Sequence, residues 1–471
     1  MMTIYAFSKN DVMSPIRRFC AAVLVIAFAT TQPLQAKAQS KGLSIVRDAE
    51  TEELLRDYAT PIFKAANINT RAAEIILVND RLFNAFVANG QKIFINVGAI
   101  MDAETPNEII GVIAHESGHI AGGHLARLHE QVSNAKILSV IGMLAGGAAI
   151  AGAATSGDRV GGSGLGAAGV LAGSQDLVQR NLMSYQRGEE RAADQAAVRF
   201  LTKTGQSANG MLVTFKRFAD SSMFRSGALD PYRISHPLPQ DRIAQLEHLV
   251  QQSPYSKVKD APELQARHDM VRAKLFGYVE RPETILRRYP PSDMSAPARY
   301  ARAVVSYRRG KLSDAMTNID SLIRESPDNA YFHELKGQAY FESGKPKEAI
   351  EHLSRAAALQ PEAVPIRTLL GQAQVATGDK KLINEAIRNL TFSTNKEPDS
   401  ADAFLHLAMA YGRKGDIGMA ELSTARSYLN SGDYKNALAR ATRAASILPP
   451  NSAAFRKAQD IISYRPPNAS K

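Results

Sequence analysis

The stretch HESGHIAGGH, residues 115–124, places three histidines and a glutamate within ten positions of a 471-residue chain that has 10 histidines in all. On an α-helix each residue advances about 100°. His115 and His119 are four apart, so they share a face and their imidazoles can converge on one ion. His124 lies nine positions past His115, about half a turn out of phase, and is expected to point away from that ion. These residue types suit a hydrolytic zinc site, in which three protein ligands leave a fourth position for water. Bound zinc lowers the pKa of that water to about 7. Glu116, next to a ligand, is the expected general base, taking the water's proton and passing it to the leaving amine.

Two histidines leave the site one ligand short. A longer zinc pattern, H-E-x-x-H-x-x-G-x-x-H, carries its third histidine on the same stretch. Here Gly122 fits the glycine, but the required position is Leu125. The third ligand is therefore expected from another element, as a carboxylate or a histidine. The segment RGEERAADQ (187–195) offers Glu189, Glu190 and Asp194. Glu190 and Asp194 are four apart on one helical face. Glu190 can reach the metal, while Asp194 can orient a ligand histidine from behind. Taken alone, the segment reads as a solvated charged face; the otherwise incomplete two-histidine site argues for the ligand reading.

The elements that must hold these residues are marked in the sequence. Thr105-Pro106-Asn107-Glu108 opens a helix as N-cap, N1 proline and capping-box glutamate. Ile109, Ile110, Val112 and Ile113 begin its buried side, so HESGH falls in the second or third turn. Upstream, residues 41–70 read as helix and 74–101 as strands, with Asn89-Gly90 as a hairpin turn and Ile93, Ile95 and Val97 on one face. A second strong helix spans 181–205 and ends at Gly205, followed by a further helix and the loop ISHPLPQDR (234–242). Between the two metal-bearing helices, residues 137–157 and 160–175 are uncharged and rich in glycine and alanine. They read as a helical hairpin or glycine-rich loop over the active site, with peripheral membrane contact as the alternative.

The whole chain has room for two or three domains, is 45% hydrophobic and carries a net charge of +11. Its basic residues are interspersed with acids, with no concentrated basic tail, which argues against a nucleic-acid partner. Arg17 and Arg18 precede the apolar run FCAAVLVIAFATT, and Ala36 and Ala38 form an A-x-A cleavage pattern. This reads as a cleavable signal peptide over 1–38, with Gln39 as the first mature residue. The single cysteine, Cys20, lies inside it, so the mature chain has neither disulfides nor thiolate ligands. An exported chain without cysteine fits a bacterial periplasm.

From about residue 260 a repeat appears. Gly310, Gly344 and Gly378 are 34 apart, as are Pro327 and Pro361, and Ala315 and Ala349. That is the tetratricopeptide period. Residues 330–361 match it best, the next unit carries three extra residues, and 428–450 closes the array. Such units stack into a solenoid that binds protein.

HESGH with downstream YQRGEERAAD resembles the HtpX/BepA group of gluzincins, metallopeptidase family 48. NAFVANGQKIFINVGAIM, SHPLPQDRI and the repeats extend the likeness over nearly all of the mature chain. The fold it implies is an α+β zincin-like protease domain, mainly helical with a small sheet, over 39–255, followed by an all-α tetratricopeptide solenoid over 256–471. It implies one Zn2+ per chain held by His115, His119 and Glu190, with Glu116 as general base and Asp194 behind the ligands. It also implies that His236 lies near the metal, as an inhibitory fourth ligand or a catalytic group, and that Arg242 lines the same cleft. Phe86, Val87, Ala88 and Asn89 would pair with substrate as an added strand. Gln186, where the family usually has serine, departs from the pattern without touching the ligands. The implied function is a periplasmic endopeptidase in quality control and assembly of outer-membrane proteins. The implied partners are misfolded or assembling outer-membrane proteins and the assembly machinery. The alternative is mainly a chaperone or scaffold with a latent protease site.

Overall fold

The computed structural model describes residues 3–4, 44–88, 90–127, 186–221, 236 and 240–466. The expected signal peptide (beyond 3–4), the glycine-rich segment 137–175, Asn89 and most of the 234–242 loop lie outside the described residues. Five strands, β1 (Thr3–Ile4), β2 (Ile45–Arg47), β3 (Glu74–Val78), β4 (Ala85–Ala88) and β5 (Lys92–Asn96), form one sheet in the order β1-β2-β3-β5-β4. β4 and β5 are an antiparallel hairpin, with Gly90 in its turn at φ 87°. β3 pairs with β5 in parallel, so β4 is left at the sheet edge. The strand run ends sooner than the sequence suggests: Val97 opens the short helix α2 (Val97–Asp102) rather than continuing β5. Ile93, Phe94 and Ile95 are all buried, so β5 is covered on both faces.

Helix α1 (Ala49–Ala65) is shorter than the expected 41–70 because β2 occupies its beginning. Asp48 caps it, its Oδ1 accepting from the Thr51 amide at 2.8 Å. Helix α3 (Pro106–Gly122) starts at Pro106, as its capping sequence requires. Glu108 Oε1 accepts from the amides of Glu104 and Thr105 at 2.8 and 3.2 Å. Helix α4 is described over 186–203, and is followed by α5 (Asn209–Ser221) and α6 (Gln240–Gln252). Ile109, Ile110, Val112 and Ile113 of α3 sit in one core with Leu201 of α4, Met211 and Phe215 of α5, Leu246 of α6 and the inner face of the sheet.

The remaining helices are α7 (Pro262–Val279), α8 (Pro282–Arg288), α9 (Ala296–Arg308), α10 (Leu312–Glu325), α11 (Ala330–Glu342), α12 (Pro346–Leu359), α13 (Val364–Ala376), α14 (Ile383–Lys396), α15 (Ala401–Lys414), α16 (Ile417–Asn430), α17 (Tyr434–Ile447) and α18 (Ala453–Ser463). They form the repeat array. The three extra residues of the third unit sit in its internal turn: residues 377–382 join α13 to α14, where 343–345 suffice between α11 and α12. Gly337 and Gly371 make room for the facing helix, since a Cβ there would lie 2.5 and 2.6 Å from Cγ of Leu353 and Leu390. Gly415 and Gly432, both at positive φ, are 17 apart, half a repeat. Helix α16 thus closes one unit and opens the next.

The array packs on the sheet-bearing N-terminal part through a shared core. Val271, Leu275 and Phe276 of α7 and Tyr300 and Val304 of α9 belong to the same apolar cluster as α1, α3 and the sheet. The start of α1 reaches far into the array. Ala49 packs with Ala349, Leu353 and Ile366, Glu53 accepts from Tyr331 and Gln360, and Arg47 pairs with Glu397. Lys274, buried on α7, meets Asp48 at 2.5 Å and Glu50 at 3.3 Å. Glu50 also accepts from the Tyr300 hydroxyl at 2.8 Å. No helix among the described residues is long and apolar enough to cross a membrane.

His268 pins α7 to α1 and the residue after α2. Its Nδ1 accepts from Tyr58 at 3.1 Å and its Nε2 donates to the Ala103 carbonyl at 3.0 Å. The acceptor role of Nδ1 needs the neutral ring, and burial pushes its pKa down from 6.5 to about 4. Between these values the unfolded chain binds the extra proton, so folding stability is intact above pH 6.5 and falls as pH drops towards about 4. The full loss from this group is ~3 kcal/mol. Melting temperatures of metal-free protein between these pH values should fall less steeply in His268→Gln than in wild type; equal slopes would contradict this account.

Candidate metal centre

His115 and His119 lie in the third and fourth turns of α3, His115 fully buried. What brings carboxylates to them is a close crossing with α4. A Cβ on Gly118 would lie 2.8 Å from the Ala193 carbonyl oxygen and 2.9 Å from its Cα, so only a glycine lets α4 come this near. Glu190 and Asp194, three residues before and one after Ala193, then face the two histidines. His236 enters from the loop before α6.

Four groups converge: ligand atoms from His115, His119, Glu190 and His236 all lie within 4.8 Å of one another. His115 Nε2 is 3.1 Å from His119 Nε2 and 3.3 Å from His236 Nδ1. Glu190 Oε2 is 3.3 Å from His115 Nε2, Oε1 is 3.3 Å from His119 Nε2, and both oxygens are 3.1 Å from His236 Nδ1. His236 Nε2 faces the Ala85 carbonyl of edge strand β4 at 3.3 Å and Glu116 Oε1 at 3.5 Å. The Glu116 carboxylate is buried beside the cluster, and neither oxygen has a hydrogen-bond partner from the protein. A buried carboxylate without partners is costly. Beside converging histidines it fits a bound cation and the water that such a cation carries.

A buried scaffold fixes the ligands. Asp194 Oδ1 lies 3.0 Å from His115 Nδ1. Arg242, 2% exposed, grips Asp194 with Nε and Nη2 at 2.5 and 2.9 Å. Its Nη1 reaches Glu190 Oε2 at 2.9 Å, and its guanidinium stacks on Phe215 at 4.9 Å. Arg242 is thus shared by both carboxylates. Burial disfavours a charge on His115, but Asp194 and Glu190 outweigh it and raise its pKa to about 9. Burial likewise opposes ionisation of Glu190, and the surrounding histidines outweigh it and hold its carboxyl far below the ordinary range. The pocket's charge therefore favours a cation, and a metal must displace a proton to enter.

His124 does not follow the helical phase expected for it. Helix α3 stops at Gly122, Gly123 takes a left-handed φ of 66°, and the chain folds back. His124 Nδ1 lies 2.8 Å from His119 Nδ1, and its Nε2 is 2.6 Å from Glu189 Oε2. It remains outside the four-ligand cluster. The Gly-Gly pair was the available signal, since glycine past the last helical residue is a common helix stop. Glu189 serves His124 and Arg127, at 2.7 Å, instead of the metal cluster. Phe86, Val87 and Ala88 lie on β4, Phe86 stacked on Phe94 at 5.1 Å; Asn89 is outside the described residues.

The family profile described as "Peptidase family M48" matches residues 47–250. The chain carries a peptidase family M48 domain. Tetratricopeptide repeat profiles match 300–364 and 334–382, so the M48 domain is followed by repeats. The beta-barrel assembly-enhancing protease of Yersinia pestis is 25% identical over 368 residues, covering 77% of this chain and 72% of that one. Its Escherichia coli K12 counterpart is 21% identical over 409 residues, covering 85% and 80%. A Vibrio cholerae relative that bears the name provisionally is 25% identical over 296 residues, and this chain spans 58% of its length. Among solved structures, the tetratricopeptide protein YrrB aligns over 37% of this chain and 90% of its own, with a TM-score of 0.31 and 21% identity. An M48 domain with a His/Glu cluster able to hold a metal supports a metalloprotease.

The Gly118 crossing gives a direct test. Gly118→Ala should force α4 away, costing about 1–3 kcal/mol as overpacking. Metal content of the purified variant should fall although every ligand is retained. Full metal occupancy would show that the crossing has slack.

Proposed function

We propose that this protein is a zinc-dependent endopeptidase of the bacterial periplasm that acts in quality control and assembly of outer-membrane proteins. One observation carries the enzymatic part: the buried Glu116 carboxylate, without a hydrogen-bond partner from the protein, beside four converging ligands. Zinc suits the cluster. Tetrahedral ligands bound at about 2.0–2.1 Å lie about 3.3 Å apart, and the shortest ligand separations here are 3.1–3.3 Å. His115, His119 and Glu190 hold the ion, and Asp194 keeps the proton on His115 Nδ1 so that Nε2 faces the metal.

When bound, the ion supplies a water nucleophile at neutral pH and polarises the scissile carbonyl. Glu116 accepts the proton of the attacking water and delivers it to the departing amine nitrogen. Edge strand β4, through Phe86, Val87 and Ala88, offers backbone groups to an extended substrate segment, which would add as a further strand and run past the metal site; Asn89, next in sequence, lies outside the described residues. The names of the relatives support clients and partners among outer-membrane proteins and their assembly machinery. The sequence signal over 1–38 supports export. The middle of the array already holds the start of α1, so partner capture falls to its far end, where Leu405 and Met409 of α15 and Leu438 of α17 are exposed. The uncharged stretches 137–157 and 160–175 suit a hairpin or glycine-rich loop over the active site, with peripheral membrane contact as the alternative.

Glu116→Gln separates protease from chaperone. It should leave one zinc per chain, by metal analysis, and abolish casein cleavage. If a deletion strain's envelope defects are fully rescued by Glu116→Gln, the protease role is secondary and the scaffold reading stands.

The position of His236 favours a latent resting state. Its Nδ1 takes a corner of the ligand cluster, where the reacting water must sit, and its Nε2 touches β4. A client strand adding to β4 would disturb that contact and help displace the ring. His236→Ala should therefore raise casein cleavage or self-cleavage with zinc retained. A fall of about 10²-fold with zinc retained would instead make His236 a transition-state donor.

A further inference from the structure

Each α3 histidine presents its Nε2 to the cluster, which leaves its Nδ1–H as a buried donor that needs an acceptor. For His115 that acceptor is Asp194. For His119 it is another histidine. His119 Nδ1 and His124 Nδ1 are 2.8 Å apart, edge to face, with ring centroids at 4.9 Å. Two nitrogens at this distance must share one proton. With Nε2 turned to a metal, His119 Nδ1 carries the proton and His124 Nδ1 accepts it. His124 Nε2 must then carry a proton, and it faces Glu189 Oε2 at 2.6 Å. Arg127 holds both Glu189 oxygens, at 3.2 and 2.7 Å. Every donor in this chain has an acceptor in a single consistent tautomer.

The backbone is shaped to allow it. His124 can fold over the helix end because Gly123 turns the chain at φ 66°. Its ring also needs Gly122, where a Cβ would lie 2.1 Å from His124 Nε2. Arg127 closes the turn by donating to the Gly122 carbonyl. We propose that His124 is a positioning residue for the metal: the relay His119–His124–Glu189–Arg127 fixes the tautomer and rotamer of His119. It does for this ligand what Asp194 and Arg242 do for His115. A neutral imidazole raises ligand basicity less than a carboxylate, so the two α3 ligands are held unequally, His119 by the softer partner.

This inference rests on the reading of the cluster as a metal site, and the test keeps the two apart. Zn2+ affinity of the full chain is measured by competition with a chromophoric chelator, alongside the d–d absorption of the Co2+-loaded protein and melting of the metal-free form. If wild type binds no metal, the site reading fails. If it does, His124→Ala should bind about 10–100-fold more weakly, with an altered Co2+ spectrum, one metal still bound at saturation, and metal-free melting close to wild type. Gly122→Ala should shift affinity the same way by displacing the ring. His124→Gln, whose amide can accept from His119 and donate to Glu189, should recover most of the loss. Wild-type affinity in His124→Ala and Gly122→Ala, or a Gln variant no tighter than the Ala variant, overturns the proposal.

Discussion

The site depends on how closely α3 and α4 cross. Gly118, in the middle of the histidine motif, has no side chain, and the backbone of Ala193 fills the space that one would occupy. At this spacing a short glutamate on α4 can meet two histidines on α3. The crossing is a packing constraint, yet its consequence is electrostatic. It buries two carboxylates, Glu190 and Asp194, in the same volume as three histidines.

Burying that much charge is expensive unless each group has its partners. Arg242 answers for both carboxylates at once and is itself sheathed by Phe215. The result is a pocket whose residual demand is for a cation at the point where the four ligand atoms meet. His115 is backed by Asp194 and His119 by His124, which leans on Glu189, and both α4 carboxylates are in turn gripped by arginines. Rigidity is therefore concentrated on the α3–α4 side. His236, by contrast, comes from a loop and touches the edge strand, so the fourth ligand is the one tied to the substrate-facing surface.

The repeats are fused to this body rather than strung beside it. One apolar cluster runs from the sheet through α7 and α9 to Leu335 of α11. The first turn of α1 enters the array, its charges answered by Lys274, Tyr300 and Tyr331. Movement of the early repeats would be felt at α1 and, through the shared core, at α3. The later helices α15 to α18 are built from separate small clusters and keep apolar side chains at the surface.

Local chemistry is what the sequence by itself determined. The capped start of α3, the i, i+4 pairs His115/His119 and Glu190/Asp194, the hairpin at Gly90 and the 34-residue period all depend on neighbours within a few turns, and all stand where the residues put them. The boundary of α1 was misjudged because β2 gains its strand pairing from β3, Ile45 facing Val78 and Val46 facing Leu77, which no local pattern reveals. His124 was misplaced because the phase of α3 was carried past Gly123, whose left-handed turn ends α3 and resets the direction in which the helical residues 124–127 continue. Tertiary structure decided how the neighbouring acids Glu189 and Glu190 divide: Glu190 faces the histidines of the cluster, as the spacing and the resemblance imply, and Glu189 faces His124. The Gly118–Ala193 contact sets the rotation of α4, turning Glu190 inward and Glu189 towards His124. It also decided the place of His236, which lies 121 residues from His115 in sequence and 3.3 Å from it in space, because a loop residue has no periodicity from which a direction could be read.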